Sequence, residues 1–289
     1  MDLLGIAATV LGLGILGLIF GIVLAVAAQK FHVETDPRID TITSMLPGAN
    51  CGGCGFPGCS GYAAGIVLQS APLNKCSPGG SETSKKIAEV MGQSVQETER
   101  LVAVVACRGT AAVAKNRFQY EGISDCRSAH LVNAGFKACS YGCLGFGTCE
   151  KACPFAAIVK GEDGLPIIVE ENCKACGKCV EACPRSIIQL APFSKHVHVL
   201  CKSRDKGAAT KKACSAGCIG CKKCEKVCKF EAIKIENNLA VIDYSKCKNC
   251  GKCVTECPQN VIVNFRKFRS SKDKAKAGKA KTEEQKAAA

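Results

Sequence analysis

The chain has 289 residues, 24 cysteines, four histidines and a formal charge of +14 at pH 7. That length allows a membrane segment and two or three compact domains, and the Cys-x2-Cys spacing among lysine-rich loops argues against the disulfide scaffold of a small secreted domain. Anionic metal clusters on these thiols would cancel about 12 of the positive charges, and no helix-turn-helix, zinc-finger or aromatic-rich signature accompanies the rest, which excludes nucleic acid as a partner.

Residues 3 to 29 carry no charge, enough to cross a bilayer as a tilted helix. Ala25-Val26-Ala27 resembles a signal-peptide cleavage site, but the apolar run is too long for a signal core and nothing basic precedes it. Residues 1–30 are therefore read as a retained transmembrane anchor. Asp2 before the run and Lys30 and Arg38 after it predict a single pass through the cell inner (cytoplasmic) membrane, N-terminus outside and all that follows cytoplasmic, with membrane lipid as a partner. Gly17-x3-Gly21, with Gly14 beside it, would let another helix approach closely.

Residues 31–105 read as a small helical domain built on one metal site. Ile39 to Leu46 has the spacing of a short helix, and it leads to CGGCGFPGC. Cys51, Cys54, Cys59 and Cys76 make one four-thiolate set, with glycines that permit a loop to wrap a cluster. Residues 60–71 and 81–102 read as helices packed around it.

Beyond this point the sequence repeats. Residues 173–184, CKACGKCVEACP, and 247–258, CKNCGKCVTECP, are both Cys-x2-Cys-x2-Cys-x3-Cys-Pro, the bacterial ferredoxin run. Zinc sites also use Cys-x2-Cys doublets, but three cysteines within seven residues followed by Cys-Pro is the iron-sulfur pattern. Adding 75 converts Cys126, Cys139, Cys143, Cys149 and Cys153 into Cys201, Cys214, Cys218, Cys224 and Cys228, and adding 74 superimposes the downstream runs. Such self-similarity marks a duplication, giving a first module over 106–200 and a second over 201–265. Phe146 stands where the second copy has Cys221, and Pro154 where it has Lys229. Leu165 to Val169 and Leu239 to Ile242 read as small strands between the motifs.

Ligands are then assigned by counting. In the second copy Cys218, Cys221, Cys224 and Cys257 hold one [4Fe-4S] cube, and Cys228, Cys247, Cys250 and Cys253 another. In the first copy Cys153, Cys173, Cys176 and Cys179 hold one, while Cys143, Cys149 and Cys183 lack a fourth partner because Phe146 cannot ligate. Cys139 is the nearest candidate, with Cys107 the alternative. The remainder, Cys107 (or Cys139) with Cys126, Cys201 and Cys214, suggests a sixth cube bridging the copies, the bland alternative being four free thiols or a labile site. Residues 266–289, rich in lysine and alanine, read as a disordered tail whose charge could attract an acidic partner or anionic lipid.

The expected architecture is thus α+β: one transmembrane helix, a small helical [4Fe-4S] domain, two tandem bacterial-type 2[4Fe-4S] ferredoxin domains and a basic tail. No nucleophile-base pair, nucleotide loop or phosphate loop appears, so substrate chemistry is left to partners. The order of membrane helix, CGGCGFPGC with Cys76, and tandem ferredoxins resembles the B subunit of the Rnf complex, the ion-pumping ferredoxin:NAD oxidoreductase, in the long form of acetogen-type bacteria. That resemblance implies an electron-transfer subunit of a translocase. Electrons would come from soluble ferredoxin and go to membrane and flavin-carrying subunits of the same complex. A polyferredoxin of another membrane machine, such as a hydrogenase or redox-sensor reductase, is the alternative, and a zinc-stabilised adaptor a third.

Overall fold

The computed structural model describes residues 3–30, 36–96 and 99–266, without the side chains of 3–10 and 28. The tail from 267 onward lies outside them. Helix α1, Leu3–Lys30, is 28 residues long, about 42 Å at 1.5 Å per residue. Every large apolar side chain described on it, from Leu11 to Val26, is at least 52% exposed, so this stretch is apolar all round and none of the described residues covers it. Side chains are described without a break only from Leu11 to Ala27, and among the described residues no helix is long and apolar enough to cross a membrane.

Three helices follow: α2 (Pro37–Met45), α3 (Gly58–Gln69) and α4 (Gly80–Met91). Asp36 caps α2 by accepting the Arg38 N–H at 2.9 Å, with Pro37 at the first helical position, where its missing N–H is not needed. Gly92, at φ +63°, ends α4. Ile42, Tyr62, Ile66 and Ile87 form their shared core, and the Tyr62 hydroxyl ties the Cys76 arm to α3 by donating to the Pro72 carbonyl (2.6 Å) and accepting from the Lys75 N–H (3.1 Å).

The helix expected over 81–102 therefore stops at Met91. Residues 101–105 are instead strand β1 (Leu101–Val105), as suits a run of β-branched residues. Elements α5 (Cys126–Leu131), α6 (Thr148–Lys151), β2 (Ile158–Lys160), β3 (Pro166–Ile168), α7 (Lys178–Ala182) and β4 (Ile188–Pro192) complete the first module. The second holds β5 (Val197–Val199), α8 (Gly207–Ala213), α9 (Lys223–Val227), β6 (Ile233–Glu236), β7 (Leu239–Ile242), α10 (Lys252–Thr255) and β8 (Ile262–Asn264). Four antiparallel pairs result, β1 with β4, β2 with β3, β5 with β8 and β6 with β7. Each module opens on a strand that pairs with its own last strand, so the first begins at Leu101 and the second at Val197, ahead of the expected starts at 106 and 201.

The pairing also corrects the repeat. Beyond β1 the Ala106 N–H bonds the Ile187 carbonyl at 2.8 Å, and beyond β5 the Leu200 N–H bonds the Val261 carbonyl at 2.9 Å. Cys107 is therefore the counterpart of Cys201, and the constant offset that matched Cys126 to Cys201 is a coincidence of numbering. Cys107 and Cys139 are 32 residues apart where Cys201 and Cys214 are 13 apart, so the first module carries an insert. Its two arms pair with each other (Arg117 N–H to Phe136 O, 2.7 Å; Ala138 N–H to Lys115 O, 2.8 Å), and one arm bonds the second module (Lys115 N–H to Ala213 O and Ser215 N–H to Val113 O, both 3.0 Å).

Candidate iron-sulfur centres

None of the 24 cysteines is paired in a disulfide, and four cavities are each lined by four of them. Cys51, Cys54, Cys59 and Cys76 surround the first, with about 330 Å³ of empty space. Cys153, Cys173, Cys176 and Cys179 surround a second of about 330 Å³, and Cys218, Cys221, Cys224 and Cys257 a third of the same size. The structure thus brings together the thiols of three sets that the sequence had grouped. The fourth cavity, about 370 Å³, is ringed by Cys107, Cys139, Cys201 and Cys214.

That last set revises two assignments. Cys139 does not join Cys143, Cys149 and Cys183, and Cys126 does not join the bridge. The cause is the pseudo-symmetry of the fold: Cys107 and Cys139 of one module face Cys201 and Cys214, their counterparts in the other. Cys126 lies instead beside Cys149. Burial pushes the Cys149 thiol up to about 11, and the neighbouring charges of Cys126 and Cys183 push the same way. Cys143 is likewise pushed up to about 12 by burial first, with Cys107 and then Cys126 adding to it. In the second module burial, then the charges of Cys247, Cys250 and Cys228, push Cys253 up to about 11, so these four thiols lie near one another.

Local structure holds Cys126 in place. Asp125 caps α5, accepting the N–H groups of Arg127 (2.8 Å) and Ser128 (3.0 Å). The Thr148 hydroxyl donates to the same carboxylate at 2.7 Å and accepts the Cys126 N–H at 2.8 Å, fastening α5 to α6, which carries Cys149. The sequence had grouped Cys126 with Cys201 and Cys214, whereas the structure sets it near Cys149 and Cys143. The usable signal was the pairing of a lost cysteine at Phe146 with an extra one inside the insert.

The donor sets fit an anionic cluster. Among the described residues no three His, Cys, Asp or Glu side chains converge on a single ion position, and four thiols line each of the four cavities. Backbone N–H groups point at the sulfurs: Gly109 and Cys143 donate to Cys107 Sγ (3.3 and 3.4 Å), and Ser203 and Cys218 donate to Cys201 Sγ (both 3.4 Å). Ala157 to Cys153 and Ala232 to Cys228, both 3.4 Å, repeat the arrangement. Lys137 is buried and donates from Nζ to the Gly109 carbonyl at 2.7 Å, behind the bridging cavity. Arg185 keeps Nε and Nη1 buried without a protein partner, and the cysteines whose charge acts on it are Cys139, Cys183 and Cys143. Orphaned cationic donors beside thiols suit a negatively charged occupant. Because burial also pushes Cys179 and Cys224 up to about 12, ligation at these sites has to expel thiol protons.

The groups follow one another in space. Burial pushes Cys176 up against a hydrogen bond from the Lys178 N–H, and Cys51 of the first group is among the charges that add to the rise. Cys149 acts in the same way on Cys179. The Cys143 N–H reaches Cys107, and the Cys218 N–H reaches Cys201. Helix α9 carries Cys224 of one second-module group and ends at Cys228 of the other. Only Cys221 and Cys250, both in the second module, are exposed.

Three family models match, one described as an Fe-S cluster over residues 46–78 and two as 4Fe-4S dicluster domains over 138–188 and 217–261. The chain is 51% identical over 250 residues to the B subunit of the Na(+)-translocating ferredoxin:NAD(+) oxidoreductase complex of Acetobacterium woodii, covering 86% of this chain and 75% of that one. It is 46% identical to the B subunit of the ion-translocating oxidoreductase complex of Methanosarcina acetivorans (86% and 94% covered). To the B subunit of the proton-translocating ferredoxin:NAD(+) oxidoreductase complex of Clostridium ljungdahlii it is 48% identical (86% and 88% covered). The matched domains and relatives make it an iron-sulfur electron-transfer subunit of an oxidoreductase complex.

Proposed function

The chain belongs to the B-subunit family of ion-translocating ferredoxin:NAD(+) oxidoreductase complexes, and on that premise we propose that it conveys electrons from reduced ferredoxin to membrane and flavin-carrying subunits of such a complex, through six cysteine quartets. When bound, a [4Fe-4S] cluster supplies one-electron redox chemistry that no side chain here can perform. The residues do the rest: thiols ligate, and backbone N–H groups and the buried Lys137 and Arg185 offset negative charge. The quartets are Cys51, Cys54, Cys59 and Cys76; Cys153, Cys173, Cys176 and Cys179; Cys126, Cys143, Cys149 and Cys183; Cys107, Cys139, Cys201 and Cys214; Cys218, Cys221, Cys224 and Cys257; and Cys228, Cys247, Cys250 and Cys253.

The observation that carries this reading is their unbroken succession, from the Cys51 loop beside Cys176 to the exposed Cys221 and Cys250 at the far end. Lys222, Lys223, Lys248 and Lys252 are exposed around those two cysteines, a surface suited to an acidic redox donor. The opposite end lies close in sequence to α1, which we assign as a single-pass membrane anchor with the following domains on the cytoplasmic side. The exposed apolar side chains from Leu11 to Val26 and the uncharged sequence from 3 to 29 support that assignment. Electrons would then be taken up at the second module and leave near the membrane.

Replacing Cys54 by serine in the assembled complex tests the direction. Ferredoxin should still bleach the visible absorption of the chain, while ferredoxin-driven NAD reduction stops. Normal NAD reduction in a variant shown to lack the first site would overturn the routing.

A further inference from the structure

The first cysteine quartet and the Cys153 quartet belong to different units of the fold, and their ligand loops touch at one point. Gly53 sits between Cys51 and Cys54 with a backbone angle outside the positive-φ range, so its own conformation would accept any residue. A Cβ there would nevertheless lie 2.6 Å from the carbonyl oxygen of Cys176, 3.1 Å from its Cα and 3.2 Å from its carbonyl carbon. All three are backbone atoms of a loop that carries ligands of the other quartet, and they cannot swing aside as the end of a flexible side chain could. The neighbouring position is close as well: Lys178 Nζ stands 3.7 Å from where a Cβ on Gly52 would be, and Glu181 holds that lysine at 3.4 Å. Gly65 shows the contrast, because the atoms its Cβ would meet belong to Phe56 of the same unit. The absence of a side chain at 53 thus serves an approach between two units rather than a turn or a local core.

We propose that Gly53 is a positioning residue for electron transfer, its missing side chain letting the Cys51–Cys54 loop close onto the Cys173–Cys179 loop so that the two sites meet across a backbone contact. With clusters held by both quartets, the chemistry they would supply is a one-electron exchange in which one is oxidised by one as the other is reduced by one, with no bond made and no proton moved. This rests on the proposed function, in which both quartets hold clusters.

The test uses the full chain, anaerobically loaded, as wild type, Gly53→Ala and Gly53→Val. Iron content should equal wild type in both variants. Amide exchange over residues 174–178 should quicken, and the magnetic interaction between reduced clusters, read as broadening in the electron paramagnetic resonance spectrum, should weaken further with valine than with alanine. Unchanged exchange and unchanged broadening would overturn the inference. Loss of about four irons in both variants would overturn it as well, since Gly53 would then serve its own ligand loop. A wild-type chain that takes up no iron would instead overturn the proposed function beneath it, so the two failures are distinguishable.

Discussion

In the second ferredoxin module Cys218, Cys221 and Cys224 stand in line on one loop, and three of the four thiols around that cavity come from seven consecutive residues. The first module has Phe146 in the middle of the same loop and brings Cys126 from an insert, held by Asp125 and Thr148. Phe146 is not merely a lost ligand. Its ring lies 5.6 Å from Tyr120 and 5.7 Å from Phe136, and those two lie 6.1 Å apart, so it forms the small core on which the insert is built. Arg185 adds a clasp by donating from Nη2 to the Ala134 carbonyl, whereas the second module has Gln259 there. On the proposed assignment, a ligand position moves out of its motif when an insert supplies both a replacement thiol and the packing that fixes it. The same insert bonds the second module at Lys115 and Ser215, beside the bridging cavity.

The shared site offers the largest effect. Cys139→Ser and Cys214→Ser should each remove about four of some 24 irons and loosen the seam between modules, read as faster amide exchange at Lys115 and Ser215. If Cys139→Ser left the seam and the bridge's iron intact, the pseudo-symmetric pairing of the modules would be wrong. The two modules should then respond differently within themselves. Cys126→Ser should cost about four irons from the first module, as Cys221→Ser does from the second. Adding Phe146→Cys to Cys126→Ser gives the first module the in-line plan, and recovery of iron would show that the plans are interchangeable. No recovery would mean that the loop around 146 has become committed to the insert's core.

Much of this was legible in the sequence. The ferredoxin runs, the CGGCGFPGC site and helices α2 and α3 follow from spacing alone, because ligands on one short loop need no knowledge of the rest of the fold. The convergence of Cys107, Cys139, Cys201 and Cys214 on one cavity was legible as a remainder but not in its membership. Cys139 is near Cys143 in sequence, and nearness was the available criterion; what decides is that β1 and β5 deliver Cys107 and Cys201 to equivalent places, and strand pairing between residues more than 60 apart leaves no local mark. The same blindness extended a helix through Leu101, since Val102 and Val104 are buried against a partner strand that sequence periodicity does not reveal. Gly53 looked like one more loop glycine until Cys176 appeared opposite it.

A smaller effect isolates the packing from the ligation. Phe146→Ala removes a half-buried ring from the Tyr120–Phe136 pair and should cost the insert about 2 kcal/mol, measured by chemical unfolding, with Cys126 still able to ligate. Phe146→Leu should recover part of the loss. An effect on the second module's clusters would mean that the insert's core reaches further than its contacts.

The smallest effect belongs to Asp125, and it tests whether the relocated ligand depends on a helix cap. Its carboxyl is held below the usual carboxylate range chiefly by the Thr148 hydroxyl, then by the Ser128 and Arg127 N–H groups, against a small opposing effect of burial. A depressed carboxyl stabilises the fold at pH values above its unfolded pKa, near 3.8, and that stabilisation is lost as pH falls through the lower folded value. At neutral pH the full contribution is present. Asp125→Ala should therefore cost about 1 kcal/mol at pH 7, seen as quicker amide exchange over residues 126–131, while Asp125→Asn, which still accepts the cap bonds, should cost less. The second module offers the control, since Cys221 follows Gly220 on its own loop and needs no such cap. If Asp125→Ala left exchange over 126–131 unchanged, Cys126 would be held by its metal site alone, and the insert would contribute a thiol without contributing the structure that presents it.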